Sequence, residues 1–238
     1  MQTKIEEKLW KRVRFYLKFL QVVPFLRMIA VCNNLSFGKV DKNSDIDLFV
    51  VAASGRLFFV RTFVTSILHL LGVRRHSNKV SGRFCLSFFM DDSNLSLRQI
   101  ALKDDYYLKL WIEELTPVIN NNCYADFINA NSWAIKSNFH SKEGYVLSRN
   151  LFLWIFNSFF TFLFKGRFGN KLERSLSDWQ LKRAKTKGEK LNDKSGIIIK
   201  PTLLKFHNVD RRKHYNNLWE KNYGKQEVVK EKFLPLLK

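Results

Sequence analysis

The chain has 238 residues, enough to bury a core in one large or two small domains, and its 46% hydrophobic content excludes wholesale disorder. Its formal charge is +20, and residues 165–238 alone carry 20 Lys and Arg against 8 Asp and Glu. Three widely spaced cysteines, Cys32, Cys85 and Cys123, show neither zinc spacing nor a disulfide framework, which points to a reducing cytoplasm.

Ile5, Leu9, Val13, Leu17 and Leu20 recur at four- and three-residue steps and predict an amphipathic first helix that Pro24 ends. This stretch is charged throughout and lacks the apolar core of a signal peptide. Phe25–Cys32 predicts a first strand, and Ile46–Val51 a second. After the Ser54-Gly55 turn, Arg56–Leu71 predicts a helix ending at Gly72, and Arg83–Met90 a third strand. The intervening loop carries Arg74, Arg75, His76 and Lys79, either as a solvated basic segment or as a contact for phosphates.

From about Leu95 the pattern becomes helical. Asp104–Leu115 places Tyr107, Leu108, Trp111, Ile112 and Leu115 at helical spacing, with Pro117 closing the helix; Asn120–Asn122 reads as a break and Tyr124–Ile135 as a further helix. Residues 151–164, LFLWIFNSFFTFLF, carry no charge but fall short of the ~20 apolar residues a bilayer span needs. They read as a buried core or inter-helix segment, with a helix lying in a membrane interface as the alternative.

The basic tail opens with a helix containing Leu172, Leu176 and Trp179, followed by a polar stretch, Lys185–Gly196, and by Ile197–Ile199 as a short strand or docking segment. Asn208 is the expected N-cap of a helix through Trp219, with Asp210 in its first turn. His207, Arg211, Arg212 and His214 cluster at this start, as phosphate ligands or as an ordinary charged surface, and no pair of histidines has metal-ligand spacing. A cationic tail of this kind attracts anionic lipid or nucleic acid, although a chain rich in Lys, Asn and Phe also reaches high charge through base composition alone.

The chemistry concentrates in Asn33–Val51, NNLSFGKVDKNSDIDLFVV, where Asp45 and Asp47 stand two residues apart at the mouth of the second strand. Residues i and i+2 of a strand share a face, so the two carboxylates form a rigid site suited to a hard divalent cation such as Mg²⁺ or Mn²⁺. Turn chemistry accounts for Ser44 and Asp45 but not for Asp47, which lies inside an apolar run where an unpaired carboxylate is costly.

The same residues resemble the signature of the DNA polymerase β-type nucleotidyltransferase superfamily in its minimal form, matching at Gly38, Ser44, Asp45, Ile46, Asp47 and Leu48. The opening Gly-Ser pair of that signature is replaced by Asn33 and Asn34, and the third strand carries Cys85 and Ser87 where an acidic residue is expected. The resemblance implies an α/β (α+β) fold: a mixed sheet with helices on one side over residues 1–95, a helical region over 96–165 that shapes an acceptor pocket, and a basic helical tail over 166–238. It implies transfer of a nucleoside monophosphate from a nucleoside triphosphate to a hydroxyl acceptor. Asp45 and Asp47 would hold the metal, Asn33, Asn34, Ser36 and Ser44 would contact the nucleotide, Gly38 would permit the turn, and Asp91 would supply the third carboxylate. The alternatives are a degenerate member that binds nucleotide without transfer, and a membrane-surface or nucleic-acid-binding protein that keeps the fold as scaffold. The expected location is cytoplasmic, with peripheral membrane contact through residues 165–238.

Overall fold

The computed structural model describes residues 3–76, 78–136, 139–189, 196–206 and 210–237. Its centre is a six-stranded mixed sheet of order β4-β1-β2-β3-β6-β5, flanked by helices, so the chain is an α/β (α+β) protein. The first helix, α1 (Lys4–Leu17), starts where the Thr3 side chain accepts a hydrogen bond from the Glu6 amide, and buries Leu9, Trp10, Val13 and Leu17. Strand β1 (Leu26–Cys32) leads into a five-residue helix, α2 (Asn33–Phe37), closed by Gly38 in the left-handed conformation that glycine adopts without strain. Strand β2 (Ile46–Ala52) returns antiparallel to β1. Helix α3 (Leu57–Leu70) then crosses over to β3 (Phe84–Asp91), which lies parallel to β2.

The region expected to be helical contributes strands as well. After α4 (Tyr106–Glu114), Thr116–Asn120 forms β4 on the free edge of β1, at the position read as a helix stop and break. Pro117 fits there because an edge strand tolerates a missing N–H. Beyond α5 (Tyr124–Ala130), α6 (Leu151–Phe164) and α7 (Arg167–Glu189), the tail supplies β5 (Ile197–Lys200) and β6 (Leu203–Phe206), and β6 extends the sheet from β3. Helices α8 (Arg212–Tyr223) and α9 (Lys230–Phe233) complete the described chain. Helix α8 begins later than the Asn208 cap requires; Asn208 and His207 lie outside the described residues.

Both faces of the sheet are buried: α1 and α3, the long helices of residues 1–95, pack on one side, and helices from beyond residue 95 cover the other. Alternate residues of β1 and β2 divide accordingly. Ile29, Val31, Leu48 and Val50 join α1 and α3 in one core, while Met28, Ala30, Phe49 and Val51 join Trp111, Phe127, Trp219 and Phe233 in the other. Helix α3 has no capping side chain of its own. Instead the buried Glu173 carboxylate of α7 accepts hydrogen bonds from the Phe58 and Phe59 amides at 2.9 and 2.7 Å, where a negative charge meets the positive end of the helix dipole. Gln180 of α7 donates to Phe58 O and Thr62 Oγ1, adding polar bonds to an α3–α7 contact that Leu176 and Leu181 also line.

The 151–164 run forms α6, but none of its residues is buried, so the core reading of this segment does not hold. No described helix is long and apolar enough to cross a membrane.

Candidate metal and nucleotide site

Asp47 sits on the face of β2 that carries Phe49 and Val51, and its neighbours across the sheet are Cys32 of β1 and Cys85 of β3. The pairing of β2 with β3 shifts register between Asp47 and Phe49, an irregularity that re-aims the side chains at this end of the strand. Asp45, Asp47 and Cys85 each offer a ligand atom within 4.8 Å of the others. The third strand position thus holds a thiol, as the sequence indicates, and no carboxylate reaches it from within β3.

The electrostatics of the group follow from its crowding. Burial and the Asp45 charge push the Asp47 carboxyl up to about 6, while hydrogen bonds from Asn33 and Cys85 and the charge of Arg75 pull the other way. Burial and the two carboxylates push the Cys85 thiol up to about 12. Arg75, itself exposed, forms an ion pair with Asp45 at 2.7 Å. A protonated thiol is a poor ligand for a hard cation, so the carboxylate pair is the part of the group that fits Mg²⁺ or Mn²⁺. Solvent and phosphate oxygens would fill the remaining positions of such an ion.

Asn33 is committed to this group in an unexpected way. It opens α2 with a positive φ of 56°, and its Oδ1 accepts hydrogen bonds from Trp111 Nε1 at 2.9 Å and from the Tyr107 hydroxyl at 3.4 Å. Its amide is thereby oriented toward Asp47, to which it donates. Burial drives the Tyr107 hydroxyl pKa strongly upward, so it acts here as a neutral donor. The aromatic residues of α4 were legible as a helix face; that they hold the site through Asn33 was not.

The other expected site residues divide sharply. Asn34 is exposed on α2, and its carbonyl accepts from the Lys39 amide. Ser36 is buried and donates to the Asn33 carbonyl. Gly38 closes α2. Ser44 exchanges hydrogen bonds with Asp41 in the turn before β2. Asp91 is not brought to the site at all: it pairs in register with Ala52, five residues along β2 from Asp47. There it accepts from the Ser93 amide and hydroxyl and from the Gly55 amide.

Asp47, Asn33 and Cys85 line a cavity of about 790 Å³. One wall is cationic, with Arg74, Arg75, Lys205, Arg211 and Arg212; another is aromatic, with Tyr107, Trp111 and Tyr215. Tyr107 and Tyr215 stack on one another with ring centroids 5.5 Å apart and an interplanar angle of 17°. The basic loop after α3 and the basic start of α8, far apart in sequence, thus meet at one cleft. Arg212 is anchored there by buried pairs to Asp105 and Asp210, which leaves Arg74, Arg75 and Arg211 as its more accessible cations. No family model, curated protein or solved structure matches the chain.

Proposed function

We propose that this protein binds a nucleoside triphosphate together with a divalent cation in the β2–β3 cleft and transfers the nucleoside monophosphate to a hydroxyl acceptor. The observation that carries this reading is the Asp45 and Asp47 carboxylates, one just before β2 and one within it, brought together with Cys85 within 4.8 Å, with Asp47 lining a cleft that also carries cations. Resemblance of the surrounding residues to the polymerase β-type signature adds to it.

A bound divalent cation would neutralise charge on the triphosphate and on the leaving oxygen. The chain's own groups do the rest. Asp45 and Asp47 hold the cation, and Asn33, fixed by Trp111 and Tyr107, keeps the Asp47 carboxylate in place. Arg74, Arg75 and Arg211 offer donors to phosphate oxygens, and the aromatic wall suits the flat face of a base. In the reaction the acceptor oxygen bonds to the α-phosphorus, the bridging bond to the β-phosphate breaks, and pyrophosphate leaves. The acceptor proton passes to water, because Cys85 stands where a strand carboxylate would take it.

That same cysteine favours a second reading, a protein that binds nucleotide and cation without efficient transfer. Calorimetric titration of each nucleoside triphosphate with Mg²⁺ or Mn²⁺ tests the site, and pyrophosphate release separates the two readings. Absence of nucleotide binding by the folded wild type rejects both. The proposed location is peripheral to a membrane surface, a reading supported by the exposed apolar residues of α6.

A further inference from the structure

Helix α6 is amphipathic in the inverted sense. Its inward row is Leu153, Asn157, Phe160, Thr161 and Phe164, at three- and four-residue steps, and each of these is only partly exposed. The one amide side chain in the helix points into the protein: Asn157 Nδ2 donates to the carbonyls of Gln21 and Val23 at 3.1 and 2.7 Å. Phe164 packs on Phe59 of α3, with ring centroids 5.0 Å apart. What faces outward is the apolar set, with Phe162 exposed to 84%, Phe152 to 67% and Phe159 to 59%, alongside Trp154, Ile155 and Leu163. A continuous patch of this kind on one helix marks a binding surface.

The helix that follows continues the patch and adds charge. Along α7, Phe168, Lys171, Ser175, Trp179 and Lys182 are exposed at three- and four-residue steps, and the Arg183 guanidinium lies 5.7 Å from the Trp179 ring centroid. Residues 149–186 contain eight Lys and Arg and two carboxylates, of which Glu173 is turned inward to cap α3. Asp178 alone interrupts the exposed cationic surface.

We propose that the outward faces of α6 and α7 form a docking surface for an anionic lipid bilayer, with α6 lying in the plane of the interface. The 14 residues of α6 extend ~21 Å, short of a ~30 Å hydrocarbon core, so the helix lies along the membrane and does not cross it. Phe152, Phe156, Phe159 and Phe162 enter the acyl boundary and Trp154 sits at headgroup level. Arg149, Lys165 and Arg167 at its two ends, with Lys171 and Lys182 of α7, meet lipid phosphates. Charge argues against a second copy as the occupant. An antiparallel pairing of two α6 helices sets the Arg149 end of one against the Lys165–Arg167 end of the other, and a parallel pairing sets like ends together. This inference gives the peripheral location proposed above its surface, and it is independent of the nucleotide site.

Flotation of the full chain with vesicles tests it, comparing phosphatidylcholine alone with phosphatidylcholine containing about one third phosphatidylglycerol. The expected result is binding to the anionic vesicles, weakened by salt and nearly absent on phosphatidylcholine. Replacing Phe152, Phe159 and Phe162 together by Ser is expected to lower partitioning by about tenfold or more. Lys171→Gln with Lys182→Gln, surface changes that leave the apolar face intact, is expected to lower it by about fivefold per cation. Failure of the folded wild type to float with anionic vesicles at low salt overturns the proposal. So does undiminished flotation of the triple variant, or a wild-type dimer that the triple substitution converts to monomer without any vesicle binding. Unchanged nucleotide titration by the triple variant keeps this outcome separate from that of the nucleotide site.

Discussion

The two ends of the β2–β3 pair each carry a pair of aspartates, and their surroundings are opposite. At the far end Asp91 is closed by Ser93 and the Gly55 amide, while Asp92 accepts from the Ser54 amide and pairs with Arg27 at 2.8 Å. Nearly every carboxylate oxygen there meets a donor fixed by the chain. At the near end Asp47 faces Asp45 and Cys85, and the compensating cation is the exposed side chain of Arg75. Residue type is the same at both ends. The difference lies in what else each carboxylate faces: Asp91 and Asp92 meet only donors, whereas Asp47, although Asn33 and Cys85 donate to it, is held against Asp45 at a cleft, where a bound cation would relieve the repulsion.

The largest effect that would break this contrast comes from Asp45→Asn with Asp47→Asn. Metal-dependent nucleotide binding is expected to fall by about 100-fold or more, because two charged ligands are lost together. The thermal midpoint is expected not to fall, since the cost of burying the Asp47 charge and its repulsion by Asp45, which together raise the Asp47 pKa, go with them. Retained metal-dependent binding in calorimetry, or a strongly destabilised variant, would place the near pair in the structural class with Asp91.

Cys85→Asp sharpens the contrast in the other direction. The register sets position 85 beside Asp47, so the new carboxylate joins the open group and is available to take the acceptor proton. Pyrophosphate release in the presence of Mn²⁺ is expected to rise by about 100-fold, the lower end of what a positioned base contributes. An unchanged rate with intact nucleotide binding would show that the missing strand carboxylate does not limit the reaction.

Asp91→Ala is the complementary test of the closed end. Removal of a buried acceptor that serves Ser93 and Gly55 is expected to lower stability by about 1–3 kcal/mol in urea unfolding, because these donors lose their partner. Nucleotide affinity is expected to stay at the wild-type value. A large loss of affinity would return Asp91 to the site from which its register excludes it.

Those contrasts mark what the sequence could convey. Apolar runs bounded by turns located β1, β2, α3 and β3 to within a residue or two, and the two-residue spacing singled out Asp45 and Asp47, whose carboxylates the fold brings together although Asp45 precedes β2. The helix before Pro117 ends where expected, but the strand that contains this proline went unread, because a proline after a helix and a proline in an edge strand look alike until the pairing with β1 is known. Strand β6 is four residues long, too short for periodicity to declare itself. The uncharged run 151–164 showed its apolarity but not its orientation, which is set by Asn157 reaching backbone carbonyls more than 130 residues away. The residues that orient Asn33, Tyr107 and Trp111, lie more than 70 residues downstream and leave no signal beside it in the sequence. Local chemistry was legible, and it includes the Ser93 donors two residues from Asp91; the Ser54, Gly55 and Arg27 donors that complete the far end are non-local.

The smallest expected effect concerns Asp210, a carboxylate that lines the cleft and yet belongs to the closed class. Burial alone would raise its pKa. The Arg212 guanidinium, which donates to both of its oxygens, and the Lys205 ammonium at 3.6 Å override burial and hold it down at about 2. Because the folded value lies below the ordinary carboxylate value, ionised Asp210 stabilises the fold. That contribution is complete above about pH 4 and is lost as the pH falls through 2. The Asp210→Asn variant is therefore expected to lose stability less steeply than wild type between about pH 4 and pH 2, read from urea midpoints across that window. Parallel acid profiles for the two proteins would mean that the Arg212 and Lys205 contacts do not select the ionised form. Proximity to the cleft would then no longer be separable from availability to a ligand, and the division drawn between the two ends of the sheet would fail at the one carboxylate that shares features of both.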